Sequence, residues 1–477
     1  MLTNTFSFEN GYLIQIDDIL AKKPAPVPPE PVPPTPEDDP IEKVNITTSL
    51  TGIYLQLTVS GDLSTLDHYE INAYANNVLA KSFNNGKDTT FDLNQVDSSV
   101  PTGDYIIECV AVSTYGNNSP TSNSIDYTAL PAPAAMTLRF EFSNPDYSPV
   151  DAEVGTSGTW NKLNAKNRNI WDWTNTDTSW ASAFTIGTTD GQFVDYENNK
   201  VSVLSCGDLS SVTVMSRLFA FCSALIAVYK LDTSGANDVF LMFNNCTNLA
   251  IYPDLDFSKV TDCRAVFQSN LAMISAPNIK FPTDHEFSLQ NFFLGCDNLM
   301  HIPTYDTRRC NSMRAFLQAH KDRALDMKIE EVPMFDTSNV TAFNMMFAGC
   351  TKLKVIPNYD TSSGTNFHDF AIHCQSLKMV PNLDYSHSTD MEDAFYDCTS
   401  LTFVPDMELT AATNISGMFA KTPNVTEGAL ALFNKLEPRT ASFSKYNDVF
   451  YKCGINTESG LAELEQIPQY WGGLAEG

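Results

Sequence analysis

The stretch that decides the fold is residues 343–360, FNMMFAGCTKLKVIPNYD, because its pattern returns through the second half of the chain. The same frame appears at residues 293–306, FLGCDNLMHIPTYD, and at residues 395–407, FYDCTSLTFVPDM. Cys350, Cys374 and Cys398 follow one another at intervals of 24 residues. A repeat of about 24 residues therefore runs from Leu209 onward, and such a period is typical of stacked-repeat proteins.

The repeat also predicts how its cysteines behave. Asn270, Ala319 and Thr422 take the cysteine position in three degraded copies, and a requirement for a small residue explains Ala319 and Thr422 better than a role for sulfur chemistry. We expect buried, reduced thiols and no disulfide framework. No C-x-x-C spacing occurs, which argues against a zinc site built on cysteine. An insertion around Lys321–Lys328 is expected to form a surface loop.

Within one repeat the sequence predicts a short helix followed by a short strand. Residues 336–341, DTSNVT, supply N-cap side chains, and Phe343, Met346 and Phe347 follow at helical spacing until Gly349. Leu353 and Ile356 then form an inward-facing strand, which the following proline must keep short. Since one repeat cannot bury its own apolar face, we expect neighbours to stack into a curved α/β solenoid of the leucine-rich-repeat kind.

These residues resemble the leucine-rich repeats of BspA-like surface proteins and the related Met-Phe-x-x-Cys repeats of mycoplasma surface lipoproteins. The resemblance spans roughly residues 209–454. It implies adhesion or host interaction and carries no catalytic residues. Residues 467–474, IPQYWGGL, resemble the closing cap that follows such arrays.

Other modules are expected before the repeats. Residues 42–130 alternate apolar and polar in short runs, which predicts an all-β sandwich. Residues 103–116, GDYIIECVAVSTYG, resemble the last strands of a fibronectin type III or Ig-like domain, with Tyr105 at the tyrosine-corner position. Residues 137–205 hold four of the five tryptophans and are expected to cap the solenoid, or alternatively to form a sugar-stacking platform. The repeats are expected at 206–454 and a C-terminal cap at 455–477.

The N-terminal part is expected to anchor the protein. Residues 1–22 are too short to bury their own apolar side chains, and residues 23–41 form a proline-rich spacer. The candidate docking residues are Tyr12, Leu13, Ile14, Ile16, Ile19 and Leu20.

Composition excludes several classes of function. With 29 Lys and Arg against 57 Asp and Glu, the net charge of -28 opposes binding to nucleic acid or to anionic lipid. No secretory signal and no apolar run of membrane-spanning length is recognisable, so membrane insertion is not expected. No Ser-His-Asp arrangement, phosphate loop or paired-carboxylate signature stands out, so we expect no enzyme and no cofactor.

Two polar patterns are assigned structural roles. The acids at one repeat position are expected to cap turns rather than to bind Ca²⁺, and they are Asp232, Asp256, Asp306, Asp336, Asp360, Asp384 and Glu408. The pair His368 and His373, beside Cys374, is interpreted as isolated.

The order of modules predicts a non-enzymatic virion surface protein, a head or tail fibre or decoration protein of a bacteriophage, made in the host cytoplasm. It would dock on other virion proteins through residues 1–22, form a homo-oligomer, and bind a host-surface glycan or protein through the solenoid. A BspA-like bacterial cell-surface adhesin is the alternative, and an accessory module of a glycan-active enzyme is a distant one. The candidate binding residues flank the predicted strands, and they are His301, Thr304, Lys354, Asn358, Lys378 and Asn382.

Overall fold

The computed structural model describes residues 6–9, 12–15, 39–149, 158–184, 199–320 and 327–475. The chain divides into two compact units, Met1–Asp92 with Tyr105–Asp126 and Leu93–Asp104 with Tyr127–Gly477. In the part described, no helix is both long enough and apolar enough to cross a membrane.

The first unit is built from antiparallel strands. The hairpin at its N-terminus pairs β1 (Phe6–Glu9) with β2 (Tyr12–Gln15), so the candidate docking residues Tyr12, Leu13 and Ile14 lie in β2. Ile16, Ile19 and Leu20, and the spacer as far as residue 38, fall outside the described residues. A 3-10 turn at Pro40–Lys43 leads into the sheets.

Two sheets carry the core of this unit. Their strands are β3 (Asn45–Thr51), β4 (Tyr54–Ser60), β5 (Leu66–Ala75), β6 (Val78–Asn84), β7 (Thr90–Asp92), β8 (Gly103–Ser113) and β9 (Ile125–Ala129). The first sheet has the order β3-β4-β7 and the second β6-β5-β8-β9. Alternate residues of β3 are buried, as expected where one face of a sheet covers a core. A helix at Asn94–Ser99 follows β7 and is grouped with the second unit.

A five-stranded sheet opens the second unit. Its strands are β10 (Thr137–Phe142), β11 (Thr159–Leu163), β12 (Asn169–Thr174), β13 (Val201–Cys206) and β14 (Leu225–Val228), in the order β11-β12-β10-β13-β14. Strand β14 belongs to the first repeat and pairs in parallel with β13. Trp173 and Trp180 are fully buried and pack edge-to-face with ring centroids 5.1 Å apart. These two rings serve the core and are not available as a sugar-stacking platform.

In the repeats that follow this sheet, side chains at the same position of successive repeats stack on one another in the core. Phe184, Phe219, Phe243, Phe267 and Phe293 stack nearly parallel, with successive ring centroids 5.4–5.7 Å apart. The cysteine and leucine of each repeat are also buried, as Cys350 and Leu353 show. Parallel bridges join equivalent residues of neighbouring repeats, for example Ala342 to Asn366 and Asn366 to Asp390. Each repeat therefore buries its apolar side chains against the next one.

The predicted α/β leucine-rich-repeat-like solenoid is wrong. Strands account for 25% of the residues and helices for 8%, and the strands form several small sheets. The described repeats contain only the short strands β15 (Leu255–Asp256), β16 (Ile279–Lys280), β17 (Phe287–Ser288) and β18 (Cys310–Ser312) besides β14, together with single bridges. The longer helices, Ala429–Leu436 and Glu458–Leu464, lie near the C-terminus.

The backbone of residues 343–350 explains why no helix forms there. Met345 and Gly349 both have left-handed φ angles, 60° and 78°, which a continuous right-handed helix does not allow. The amides of Phe343, Met345, Phe347 and Gly349 donate to carbonyl oxygens of the following repeat. The amides of Met346 and Ala348 close local turns instead. Alternate amides thus bind the neighbouring repeat, whereas a helix would use all of them internally.

Buried threonines add a second set of bonds between repeats. The hydroxyl of Thr337 donates to the backbone oxygen of Asp360, at 2.6 Å, and that of Thr361 to the oxygen of Asp384, at 2.8 Å. At the C-terminal end Trp471 is buried and packs on Phe433, with centroids 5.3 Å apart. Residues 467–474, which resemble a closing cap, therefore cover the last apolar residues of the second unit.

Candidate recognition surface

All six candidate binding residues are exposed, and they lie in the repeats after the buried cysteine and leucine positions. His301 lines a concavity of about 390 Å³ together with Met300 and Glu331. Thr304 lines a second one of about 300 Å³ beside Asn278 and Lys280. Lys354, Asn358, Lys378 and Asn382 line a third and larger one, of about 950 Å³. The structure thus brings four of the six residues together at one site.

The largest of these three concavities, called here the 354–382 groove, lies across two neighbouring repeats. Its walls repeat the same short sequence one unit apart, and they are Lys354–Asn358 and Lys378–Asn382, with Ser376 and Ser400 beside them. The backbone amide of Asn382 donates to Oδ1 of Asn358 at 3.3 Å, which ties the two walls. Val355 and Met379 are 58% and 68% exposed, so apolar surface is open to a partner.

The charge of the groove is opposite to that of the chain. Its lining includes two lysines and no carboxylate, although the chain has 57 acidic and 29 basic residues. Lys354 pairs with Glu330, Nζ to Oε2 at 2.5 Å, and this hydrogen bond lowers the pKa of the Glu330 carboxyl. The Lys378 ammonium has no hydrogen-bond or ion-pair partner among the residues that the structure describes. The groove therefore combines an apolar lining with an available positive charge.

Exposed apolar side chains extend this feature beyond the groove, and the sequence reasoning missed them. They recur at or near the same edge of successive repeats, and they are Ile251, Ile274, Met300, Met334, Val355, Met379 and Phe403. Backbone bonds from Lys354 to Glu330 and from Thr402 to Lys378 show that this edge is continuous between repeats. In the copies with the core residues Leu353, Leu377 and Leu401, the exposed residue stands two places after the leucine, and that spacing was the available signal.

The column of acids is used for turns, as the sequence predicts. A side-chain oxygen of each aspartate accepts from the amide two residues later, at 2.9–3.4 Å, in Asp232, Asp256, Asp306, Asp336, Asp360 and Asp384. Glu408 instead bonds Lys435 at 2.6 Å. Hydrogen bonds to Ser362 hold the pKa of the Asp360 carboxyl below its usual value.

The cysteines contribute no reactive group to this surface. All eleven are buried and free of disulfide bonds. Burial raises the pKa of the Cys296 and Cys453 thiols to about 12 in each case, so both remain protonated at neutral pH. The prediction of a reduced, structural thiol series agrees with this arrangement.

The fold and this edge together define a repeat protein with an exposed apolar and locally basic surface. Residues 191–280 and 287–431 match the family described as "Mycoplasma protein of unknown function, DUF285". This match confirms the resemblance to mycoplasma repeats for that part of the chain. It does not reach residues 42–130, so the fibronectin type III resemblance stays a prediction. No curated protein and no solved structure matches the chain at a significant level.

Proposed function

We propose that this chain is a non-enzymatic surface-repeat protein that adheres to a protein partner through the 354–382 groove and the apolar edge around it. The observation that carries the proposal is the recurrence of exposed apolar residues at one edge of successive repeats. Isolated exposed apolar residues are ordinary, but a contiguous row of them marks an interaction surface.

The groove favours a protein partner over a glycan. Its lining is aliphatic, with Val355, Met379 and two prolines, and it contains no aromatic ring on which a sugar would stack. Lys378, whose ammonium is available, favours a carboxylate on the partner, although the overall charge of the chain is negative. We therefore expect the partner to present apolar side chains that are flanked by Asp or Glu. Binding to a glycan becomes an outcome of the test.

Two settings were predicted for such a protein, a bacteriophage virion and a bacterial cell surface. The match to a mycoplasma family is compatible with the bacterial cell surface. The virion setting, with docking through residues 1–22 and assembly into a homo-oligomer, rests on the order of the modules alone. In either setting the groove is the element that meets the partner.

The test is binding of the fluorescent full-length chain to a panel of animal and bacterial cells, compared with the double variant Lys378→Glu and Met379→Ser. The double variant is expected to bind at least about tenfold more weakly than the wild type. Met379→Ser removes an apolar contact and Lys378→Glu reverses a charge, both at the centre of the proposed interface. The matched control is Lys259→Glu, because Lys259 is exposed elsewhere on the same unit.

The cells that bind are then treated with protease or with glycosidases. Loss of binding after protease alone supports the proposal. Binding that survives protease and is lost after glycosidase contradicts it, and so does equal binding of the double variant and the wild type. Failure of the wild-type chain to bind any cell of the panel also contradicts it.

A further inference from the structure

A mixed cluster of imidazole and carboxylate groups lies where two neighbouring repeats meet. His368 belongs to one repeat, and Asp390 and Glu392 belong to the next. The amides of Phe367 and Asp369 donate to the carbonyl oxygens of Asp390 and Glu392, both at 2.9 Å, and so fix the two segments side by side. One ligand atom from each of the three side chains lies within 4.8 Å of the other two. The sequence interpretation of His368 as isolated is therefore wrong.

The orientation of the imidazole leaves one ring nitrogen facing the two acids. Nε2 lies 3.2 Å from Oδ2 of Asp369, while Nδ1 lies 3.8 Å from Oδ2 of Asp390 and 3.8 Å from Oε2 of Glu392. A separation of 3.8 Å is too long for a hydrogen bond. An ion equidistant from the three atoms would lie roughly 2.2–2.5 Å from each, so a shift of these side chains by a few tenths of an ångström gives the roughly 2.0–2.2 Å bonds of a Zn²⁺ site.

The surrounding charge is strongly negative. Asp369 and Asp393 add two carboxylates to those of Asp390 and Glu392. The Oε2 of Glu392 that faces the imidazole also accepts from Asn414 at 2.8 Å, and the exposed Lys445 ammonium lies 3.4 Å from it. Lys445 and, when it is protonated, the His368 imidazole face four acids, so the cluster keeps an excess of negative charge that favours a further cation.

We propose that His368, Asp390 and Glu392 bind a divalent transition-metal ion, with Zn²⁺ as the probe, and that the ion joins the two repeats. Imidazole favours such ions, whereas Mg²⁺ and Ca²⁺ prefer oxygen ligands alone. Asp369 is the positioning residue, because its carboxylate bonded to Nε2 directs the lone pair of Nδ1 toward the ion. Solvent enters this half-buried site to complete the coordination.

The experiment is calorimetric titration of Zn²⁺ into the chelator-treated full chain, together with the melting temperature with and without Zn²⁺. The wild type is expected to bind one ion saturably and to melt at a higher temperature with it, because binding to the folded state alone stabilises that state. Asp390→Asn and Glu392→Gln each preserve shape and should weaken binding by roughly tenfold or more, and Asp369→Asn by roughly tenfold. Mg²⁺ should not compete.

Asp262→Asn is the matched control. Asp262 takes the position of Asp390 in an earlier repeat, but there the residue two places later is Arg264, which pairs with it at 2.6 Å. This variant should bind Zn²⁺ as the wild type does. Absence of saturable binding to the wild type would overturn the proposal. So would unchanged binding in Asp390→Asn and Glu392→Gln, which would assign the ion to the thiols or to other groups.

Discussion

The thiol of Cys374 donates to the backbone oxygen of Phe347, 27 residues earlier, with Sγ and O 3.2 Å apart. Cys246 and Phe219 make the same contact at 2.9 Å, as do Cys398 and Ala371 at 3.1 Å. Where the position holds a cysteine, the thiol thus joins its repeat to the one before it, in addition to filling space. Ala319 fills the position without making such a bond, so the bond is dispensable in a single copy.

Replacing Cys374 by Ala should destabilise the second unit by about 1–2 kcal/mol and leave its fold intact, because a small buried group and one weak hydrogen bond are lost. Urea unfolding followed by tryptophan fluorescence measures the change. Gln375→Ala, at an exposed neighbouring position, is the control and should have little effect. A stability of Cys374→Ala equal to that of the wild type would show that the thiol contact and its packing contribute nothing.

Replacing Asp360 by Ala should cost about 0.5–1 kcal/mol near pH 7, since the turn loses its side-chain acceptor. The pKa of this carboxyl is lowered in the folded state, so its contribution is present above the unfolded pKa and is lost as pH falls through the folded pKa. The difference between wild type and variant should therefore shrink below about pH 4. Urea unfolding at pH 7 and at pH 3 measures it.

Asp146→Ala serves as the control for Asp360, because Asp146 is exposed on the same unit. Its effect should be small at both values of pH. A loss of stability in Asp360→Ala that stays constant between pH 7 and pH 3 would show that the ionised carboxylate is not the stabilising species.

Replacing Asp39 by Ala should destabilise the first unit by about 1–3 kcal/mol, because this buried carboxylate accepts from the amide of Ile41 and the hydroxyl of Thr65. Burial alone would raise its pKa, but the hydrogen bonds outweigh burial and lower it. Thermal unfolding near pH 7 measures the loss, and Asp88→Ala, at an exposed position, is the control. Equal melting temperatures of the Asp39 variant and the wild type would contradict this assignment.

The role of Asp39 also decides how the predicted N-terminal anchor should be tested. A chain that begins at Ile41 lacks this carboxylate and loses stability as well as the anchor. A chain that begins before Asp39 removes residues 1–22 and most of the spacer while it keeps the hydrogen bonds of Asp39. Only the second chain separates loss of anchoring from loss of folding.

The sequence predicted which side chains form the core of the repeats. Phe347, Cys350 and Leu353 were assigned inward, and all three are fully buried. The helix between Val340 and Gly349 was predicted wrongly, because i, i+3 and i+4 spacing is also produced by successive tight turns. What distinguishes the two is the left-handed φ of Met345 and the bonding of alternate amides to the next repeat. Those bonds join residues far apart in sequence, so local pattern did not reveal them.

The candidate site was predicted in part for a related reason. Lys354, Asn358, Lys378 and Asn382 are predicted from their place beside core positions, and they line one groove. Val355 and Met379 are exposed. The sequence does not predict this, because an apolar residue close to a core leucine and a core isoleucine is itself expected to be buried. His368 and Glu392 are 24 residues apart, one repeat length, so stacking the repeats in register was needed to see them as neighbours.

The central claim, that the 354–382 groove contacts a protein partner, is tested most directly by photo-crosslinking on binding cells. A photoreactive phenylalanine analogue is placed at Met379 in one full-length chain and at Lys259 in another. Irradiation should give a discrete, protease-sensitive adduct from position 379 and none from position 259. Adducts of equal yield from both positions, or none from position 379 on cells that bind the chain, would contradict the account.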